Sequence, residues 1–190
     1  MRFDDGTELR LYRQTIEDFS LYIGLEINDA TFAQLTAAVG KMSAKMRAVR
    51  IVSASSVSKK DLEQRLIQKG EAPEDAKNAV SWMSELDLLD DRKTAEQIVH
   101  RCVAKGYGIH RAKQALYEKR IPKQYWDEVL EDYPDQEDAI LSFLQSRLVD
   151  CSDAKQVNKV IDALIRRGHN YSDIRRGLQQ LSLNEVYSED

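Results

Sequence analysis

The sequence is poor in the residues that stabilise small secreted domains and sheet sandwiches. It contains two cysteines, three prolines, eight glycines and 7% aromatic residues among 190. Cys102 and Cys151 form no disulfide-dense pattern, so we expect reduced thiols in a cytoplasmic protein. No run of about 18 apolar residues is present, so no transmembrane helix is expected. The N-terminus lacks a basic segment followed by an apolar stretch, so no secretion signal is expected.

No single sign of charge dominates the chain either. The net charge is −4, although 32% of the residues are charged. Residues 1–40 hold 3 bases and 7 acids, residues 44–120 hold 16 bases and 11 acids, and residues 121–190 hold 8 bases and 14 acids. This distribution argues against a uniformly basic nucleic-acid binder and permits a surface of mixed sign. High charge with few aromatic residues favours a helical protein.

What the sequence does contain is a phrase written three times. Each copy begins with a leucine and carries a base directly before its final Gly or Arg. The copies are Leu66–Gly70, Leu116–Arg120 and Leu164–Gly168. The copies are separated by 50 and 48 residues, a period typical of stacked supersecondary units. Apolar residues also recur six and ten positions after each copy: Ala76, Trp126 and Ile174, then Val80, Leu130 and Leu178.

These repeats predict an all-α fold of three tandem three-helix repeats that form an elongated curved rod. We place the repeats at residues 43–91, 92–134 and 135–190, the last including a polar tail that frays from Ser182. Residues 1–42 precede them as a short strand or hairpin and a lead-in helix. Trp126 is expected in the core, and Trp82 is expected there or over a junction between repeats.

Local signals predict where the elements begin and end. Glu8–Arg13 alternates in polarity and predicts a strand that pairs with Met1–Phe3 across the Asp4–Thr7 turn. Thr15 predicts the cap of a brief helix over residues 16–22 that ends at Gly24. Further helix starts are predicted by the following residues: Asn28 or Asp29, Ser58 with Asp61, Pro73, Pro122, Ser152 and Ser172.

Several short motifs follow one another in a fixed order. They are the capped helix and Leu-x-x-Lys-Gly phrase of residues 58–70, Leu88–Asp91, Gly106–Gly108, Lys119–Ile121 and Arg166–Tyr171. In this order and spacing they resemble the RecX family of regulators of the RecA recombinase. The resemblance spans roughly residues 3–181, nearly the whole chain.

The resemblance implies a partner and an activity. It implies a protein that binds the RecA nucleoprotein filament on single-stranded DNA and inhibits filament extension, ATP hydrolysis and strand exchange, and so modulates DNA repair and recombination. It further implies no cofactor, and we expect a cytoplasmic monomer that makes at most weak direct contact with DNA. The main alternative is a helical module that binds single- or double-stranded nucleic acid directly, because helix triplets can mimic a helix-turn-helix.

The candidate contact residues for the filament or its DNA are all bases. They lie at the ends of the second helices (Lys69, Lys119, Arg120, Arg166, Arg167), around the Gly106–Gly108 break (Arg101, Lys105, Arg111, Lys113) and on the last helix (Arg175, Arg176). Cations in the last turn of a helix also stabilise its dipole, so the first group has a structural explanation as well. The others could equally form a solvated face.

The sequence gives no sign of catalysis or of a metal site. His100 and Cys102 are two residues apart on a predicted helix and point to different faces, and His110 and His169 are isolated. Gly106–Gly108 lacks the Gly-Lys-Ser/Thr ending of a phosphate loop. No nucleophile has a base beside it, so we predict that the protein is not an enzyme.

Overall fold

A computed structural model describes residues 1–4, 6–148 and 153–188, with side chains up to Ser182. Asp5 of the predicted turn, Cys151 and the predicted cap Ser152 lie outside these residues. The described chain is helical throughout, which confirms the all-α prediction. Its α-helices are α1 (Arg13–Asp18), α2 (Asp29–Ala54), α3 (Lys59–Gln68), α4 (Pro73–Glu85), α5 (Asp91–Ala104), α6 (Ile109–Glu118), α7 (Trp126–Leu130), α8 (Glu137–Arg147), α9 (Ala154–Arg166) and α10 (Tyr171–Ser188).

The predicted N-terminal strand is wrong. The segment forms a tight turn with one isolated antiparallel bridge, between Arg2 and Glu8. The amide of Phe3 donates to the carbonyl of Thr7 at 2.9 Å, and the amide of Leu9 donates to that of Met1 at 3.0 Å. Only three residues precede the turn, so the ladder has no length over which to extend.

The first helix also differs from its prediction. It begins at Arg13 and ends at Asp18, and Thr15 is buried within it instead of capping it. The chain leaves the helix through Ser20, which adopts a positive φ of 47°. Gly24 has a positive φ of 87° too, but it lies in the turn that follows.

Helix α2 is capped as predicted and spans the boundary drawn between the lead-in segment and repeat one. The side chain of Asn28 accepts a hydrogen bond from the amide of Thr31 at 2.8 Å. From Asp29 the helix continues for 26 residues, so position 42 lies in its interior. The lead-in helix and the first helix of repeat one are therefore one element.

Helices α3 and α4 start at the predicted residues and complete the first hydrophobic core. The hydroxyl of Ser58 accepts from the amide of Asp61 at 3.1 Å, and Pro73 occupies the first turn of α4, where its missing N–H costs nothing. This cluster consists of buried apolar residues from α2, α3, α4 and the segments beside them: Ala44, Ala48, Val57, Leu62, Leu66, Ala76, Ala79, Val80, Met83 and Leu89.

The rest of the chain builds two more clusters. Helices α5, α6 and α7 bury Ala95, Ile98, Val99, Cys102, Ala112, Leu116, Ile121 and Leu130. Helices α8, α9 and α10 bury Ile140, Leu144, Leu148, Val160, Leu164, Ile174 and Leu181. Trp126 is half-buried against the second cluster and donates its Nε1–H to the carbonyl of Ile121 at 3.0 Å, whereas Trp82 is half-buried against the first.

Four details of this part differ from the predictions, the first being that Ser172, a predicted cap, lies inside the first turn of α10. Pro122 precedes a 3₁₀ turn over Lys123–Tyr125, and α7 begins only at Trp126. The N-cap of α9 is Asp153, whose carboxylate accepts from the amide of Lys155 at 2.9 Å. Helix α10 continues to Ser188, so the tail predicted to fray from Ser182 is helical.

The three copies of the repeated phrase adopt one backbone geometry. The residue that ends each copy has a positive φ, 91° at Gly70, 53° at Arg120 and 87° at Gly168. The amide of the following residue donates back to the leucine that starts the copy: Glu71 to Leu66 at 3.1 Å, Ile121 to Leu116 at 3.0 Å and His169 to Leu164 at 3.2 Å. This is the Schellman helix ending, and we call each such ending a corner.

The chain divides into two compact units, residues 1–90 and residues 91–190. The first contains one hydrophobic cluster and the second contains two. The division into three repeats, and the rod they would form, stay predictions. No helix of the described residues is both long and apolar enough to cross a bilayer.

Candidate partner-binding surface

Two glycine-containing corners meet in the second unit. The corner after α5 holds Gly108, whose amide donates to the carbonyl of Arg167 at 2.9 Å. The amide of His110 donates to the carbonyl of Gly168, in the corner after α9, at 3.2 Å. Main chain therefore bonds directly to main chain between α5–α6 and α9–α10, and this contact joins the second and third clusters.

Only glycine allows this approach. A Cβ on Gly108 would fall on the carbonyl of Gly168, and a Cβ on Gly168 would fall on the backbone of Arg111. The sequence predicts Gly106–Gly108 merely as a helix break and does not reveal its contact. The available signal was Gly108, a second glycine after the one that ends the helix. Gly106 has a positive φ, but Gly108 does not need one, so a glycine at position 108 requires another explanation.

Two histidines complete the junction. His169 is buried, and its Nε2 lies 3.0 Å from the carbonyl oxygen of Gly106, so this nitrogen carries the proton that is donated. Burial lowers the pKa of His169, against the opposing effect of that hydrogen bond. His110 Nε2 lies 2.7 Å from Asn170 Oδ1. Within the described residues no group of three or more His, Cys, Asp or Glu side chains could hold a metal ion.

The positive charges of three predicted bases affect the pKa of the buried Cys102 thiol. Burial raises the pKa of this thiol, and the positive charges of Arg111, Lys105 and Arg101 each lower it in part. All three residues lie where α5 ends and α6 begins, on either side of the predicted helix break.

Several other predicted bases already have structural partners. The Arg167 guanidinium lies over the Phe143 ring at 4.6 Å and over the Tyr107 ring at 5.7 Å, between the second and third clusters. Such cation–π contacts hold a cation in place within the protein. Arg111 pairs with Glu118 at 3.1 Å.

Arg176 is bound in the same way. It pairs with Asp173 at 2.6 Å and with Glu137 at 3.3 Å. Burial alone would raise the pKa of Asp173, but hydrogen bonds from Arg176 and Asn170 lower it overall. An arginine held by two carboxylates is less available to a partner than one in solvent.

The remaining predicted bases differ in exposure. Lys119 and Arg120 are half-buried, and Arg101 is exposed with its Nε donating to the Gln97 carbonyl at 3.3 Å. The exposed bases that form no ion pair with any described residue are Lys69, Lys105, Lys113, Arg166 and Arg175. Lys69 belongs to the first unit and the other four belong to the second.

An open groove of about 300 Å³ lies beside the glycine junction. Its wall includes Tyr133, whose hydroxyl donates to the carbonyl of Tyr107 at 2.6 Å. Burial, with a smaller effect from Cys102, raises the pKa of Tyr133 to about 12, so this hydroxyl stays protonated and remains a donor. Asp173 and Arg176 pair with each other in the same wall, and Asp135 adds a second carboxylate to it.

Comparison with known proteins gives consistent results. No family model matches the chain. The regulatory protein RecX of Vibrio parahaemolyticus is 25% identical over 140 residues, which cover 72% of this chain and 90% of that protein. The regulatory protein RecX of Clostridioides difficile is 26% identical over 185 residues, covering 94% and 86%, and that of Streptococcus gordonii is 23% identical over 189 residues, covering 97% and 73%.

Two crystal structures share the fold. One is of a regulatory protein RecX, with a TM-score of 0.64 and 18% identity over 92% of this chain and 91% of the other. The second is of RecX from Lactobacillus salivarius, with a TM-score of 0.64 and 22% identity over 77% and 99%. At these identities the structures establish the common fold. The curated relatives matched along most of their length, the shared fold and the ordered motifs described above all support the RecX family for this chain.

Proposed function

We propose that this protein is a non-catalytic regulator that binds the RecA filament on single-stranded DNA and inhibits the recombinase, restraining filament extension, ATP hydrolysis and strand exchange. The observation that carries the proposal is the match to proteins named regulatory protein RecX over 90% of the length of one and 86% of another. In this proposal it acts in the cytoplasm, as a monomer, and modulates DNA repair and recombination.

The repeated corners support a partner that is itself repetitive. The same helix ending closes all three copies of the phrase, at Gly70, Arg120 and Gly168, and each copy has a base directly before its final residue. A filament offers identical subunits at regular intervals, so several weak contacts can form on one molecule. Linked contacts raise the overall affinity through effective concentration and need no single large interface.

The decisive experiment follows RecA ATP hydrolysis on single-stranded DNA with substoichiometric amounts of this protein. We expect slower hydrolysis and shorter filaments. Unchanged hydrolysis together with unchanged filament length would overturn the proposal.

A charge-reversal pair tests the predicted surface. Lys105→Glu with Lys113→Glu changes two exposed bases that have no ion pair among the described residues, so the fold should survive. We expect a clear loss of inhibition. The matched control is Lys123→Glu with Lys155→Glu, which alters the net charge equally at exposed positions outside the predicted set. Equal inhibition by both pairs would show that the contact lies elsewhere.

A gel shift with single-stranded DNA alone tests the nucleic-acid alternative. Tight binding whose affinity falls steeply with salt would favour direct DNA recognition, because each neutralised phosphate releases counterions. Weak binding is expected, since the chain as a whole is acidic, with a net charge of −4.

A further inference from the structure

The three corners that end the repeated phrase share a second feature, which their backbone geometry does not explain. The residue directly after each buried leucine is a large apolar side chain exposed to solvent. Ile67 is 39% exposed, Tyr117 is 72% exposed and Ile165 is 48% exposed. These three residues, which we call the corner anchors, occupy the same position of the same helix ending.

The fold does not require apolar residues at these positions. A Schellman ending uses the leucine at its start, and Leu66, Leu116 and Leu164 are all fully buried. The next side chain points away from the core, because successive helical residues are about 100° apart. A charged residue would suit that position, and 32% of this chain is charged. Single exposed apolar residues are ordinary, but three at equivalent positions are not.

The chemistry of the anchors favours a protein over a nucleic acid. Bases stack on aromatic rings, and two of the three anchors are isoleucines, which have no ring. An isoleucine and a tyrosine can both fill an apolar depression on a protein. At equivalent positions they fit partner sites that are alike in shape and tolerant in detail.

Charge indicates what borders one such depression. Lys113 and Tyr117 are four apart on α6, are both exposed and so lie on one face of the helix. A carboxylate at the edge of the depression would complement Lys113 beside Tyr117.

We propose that Ile67, Tyr117 and Ile165 are three equivalent anchors, each of which inserts into an apolar depression on one subunit of a protein filament. The inference rests on the proposed function and specifies which side chains make the contact. The helix end presents each anchor in the same orientation relative to its own corner, since the three corners share their backbone hydrogen bonds. Each of the three anchors can therefore dock in the same way.

The test is co-sedimentation with preformed RecA filaments on single-stranded DNA. Ile67→Ser, Tyr117→Ser and Ile165→Ser are measured singly and together. We expect about a fivefold loss of affinity for each single variant and about a hundredfold loss for the triple variant, because the contacts act through avidity. The matched control is the triple variant Tyr22→Ser, Ile23→Ser and Leu88→Ser, which removes apolar side chains of equal or greater exposure outside the corners and should bind like the unchanged protein.

Further variants separate docking from folding. The conservative set Ile67→Leu, Tyr117→Phe and Ile165→Leu keeps an apolar side chain at each position and should retain most of the affinity. Circular dichroism should give the same helical content for all variants, because the anchors are exposed. If the triple serine variant melts early, the single variants decide, each at a temperature where it is folded.

The outcomes distinguish the two proposals. If the unchanged protein binds filaments and the triple serine variant binds as tightly as its control, the anchors are wrong and the proposed function stands. If the unchanged protein does not bind filaments, both fail. If only Tyr117→Ser weakens binding, and weakens binding to single-stranded DNA alone by the same factor, the contact is base stacking and the anchor proposal is overturned.

Discussion

The corner at Gly70 and the corner at Gly168 have the same phrase and the same backbone, yet their surroundings are opposite. Gly70 is exposed, and an added Cβ there would contact nothing within 4 Å. Gly168 is buried, and an added Cβ would fall on the backbone of Arg111. The local phrase therefore specifies the turn in both, whereas the neighbouring corner gives the second glycine an additional role.

The two corners can also be compared at the residue that directly follows the glycine. It is buried in both corners, as Glu71 in one and His169 in the other. Glu71 is compensated by Arg47 at 2.7 Å and by the hydroxyl of Ser43 at 2.9 Å. His169 stays in its buried site by donating to the carbonyl of Gly106. One position of the corner thus requires burial, and the side chain that meets this requirement depends on its neighbours.

Replacing Gly168 by alanine should have the largest effect. The variant combines a strained positive φ with a clash against main chain, so we expect the free energy of unfolding to fall by about 3 kcal/mol. Urea unfolding followed by circular dichroism measures the loss. A loss no larger than that of Gly70→Ala would contradict the role assigned to the close approach.

Replacing Arg47 by methionine should come next. Glu71 would remain buried without its cation, and the carbonyl of Lys69 would lose the 2.9 Å hydrogen bond from Arg47. We expect a loss of about 2 kcal/mol in the free energy of unfolding, measured in the same way. The double variant Arg47→Met with Glu71→Ile copies Ile121 of the second corner and should recover part of this loss. A double variant less stable than the single one would show that burial of the carboxylate is not the cause.

Replacing Gly70 by alanine should cost less. The positive φ of 91° remains unfavourable for alanine, but nothing opposes the new methyl group. We expect a loss of about 1 kcal/mol. Gly70→Asn, which tolerates this backbone better, is the control and should lose less. A loss from Gly70→Ala equal to that from Gly168→Ala would remove the contrast between the two corners.

The smallest effect should be a pH dependence confined to the His169 corner. Burial lowers the pKa of His169 below its ordinary value of 6.5, so the unfolded chain binds the proton first as the pH falls. The free energy of unfolding should therefore decrease below about pH 6.5 and level off below the folded pKa. His169→Gln can donate to Gly106 without titrating, so its stability should vary less with pH between 4 and 7, as followed by urea unfolding. Identical pH profiles would contradict this assignment.

Local signals in the sequence predicted most helix ends. Asn28, Ser58 and Pro73 begin helices where expected, because each supplies or spares a hydrogen bond within four residues of itself. Two of the errors lie in the N-terminal segment. The predicted strand at Glu8–Arg13 had too short a partner, and Thr15 lies inside its helix although its side chain could have capped one.

The candidate surface, too, could be predicted from the sequence only in part. The helix break predicted between Arg101 and Arg111 is present, so both bases lie where α5 ends and α6 begins, and their charges act on the buried thiol of Cys102. The cation–π role of Arg167 could not be predicted, since Phe143 and Tyr107 lie more than 20 residues away in the chain. Whether any exposed base contacts a partner remains a prediction.

By itself the sequence determined the helical class and the ends of the second helices near Gly70, Arg120 and Gly168, because capping and helix-ending residues act over a few residues of their own chain. The tertiary structure alone decided that Gly108 and Gly168 face each other and that Glu71 and His169 become buried. Those facts depend on packing between elements up to 63 residues apart, as for His169 and Gly106, and no local pattern encodes such contacts.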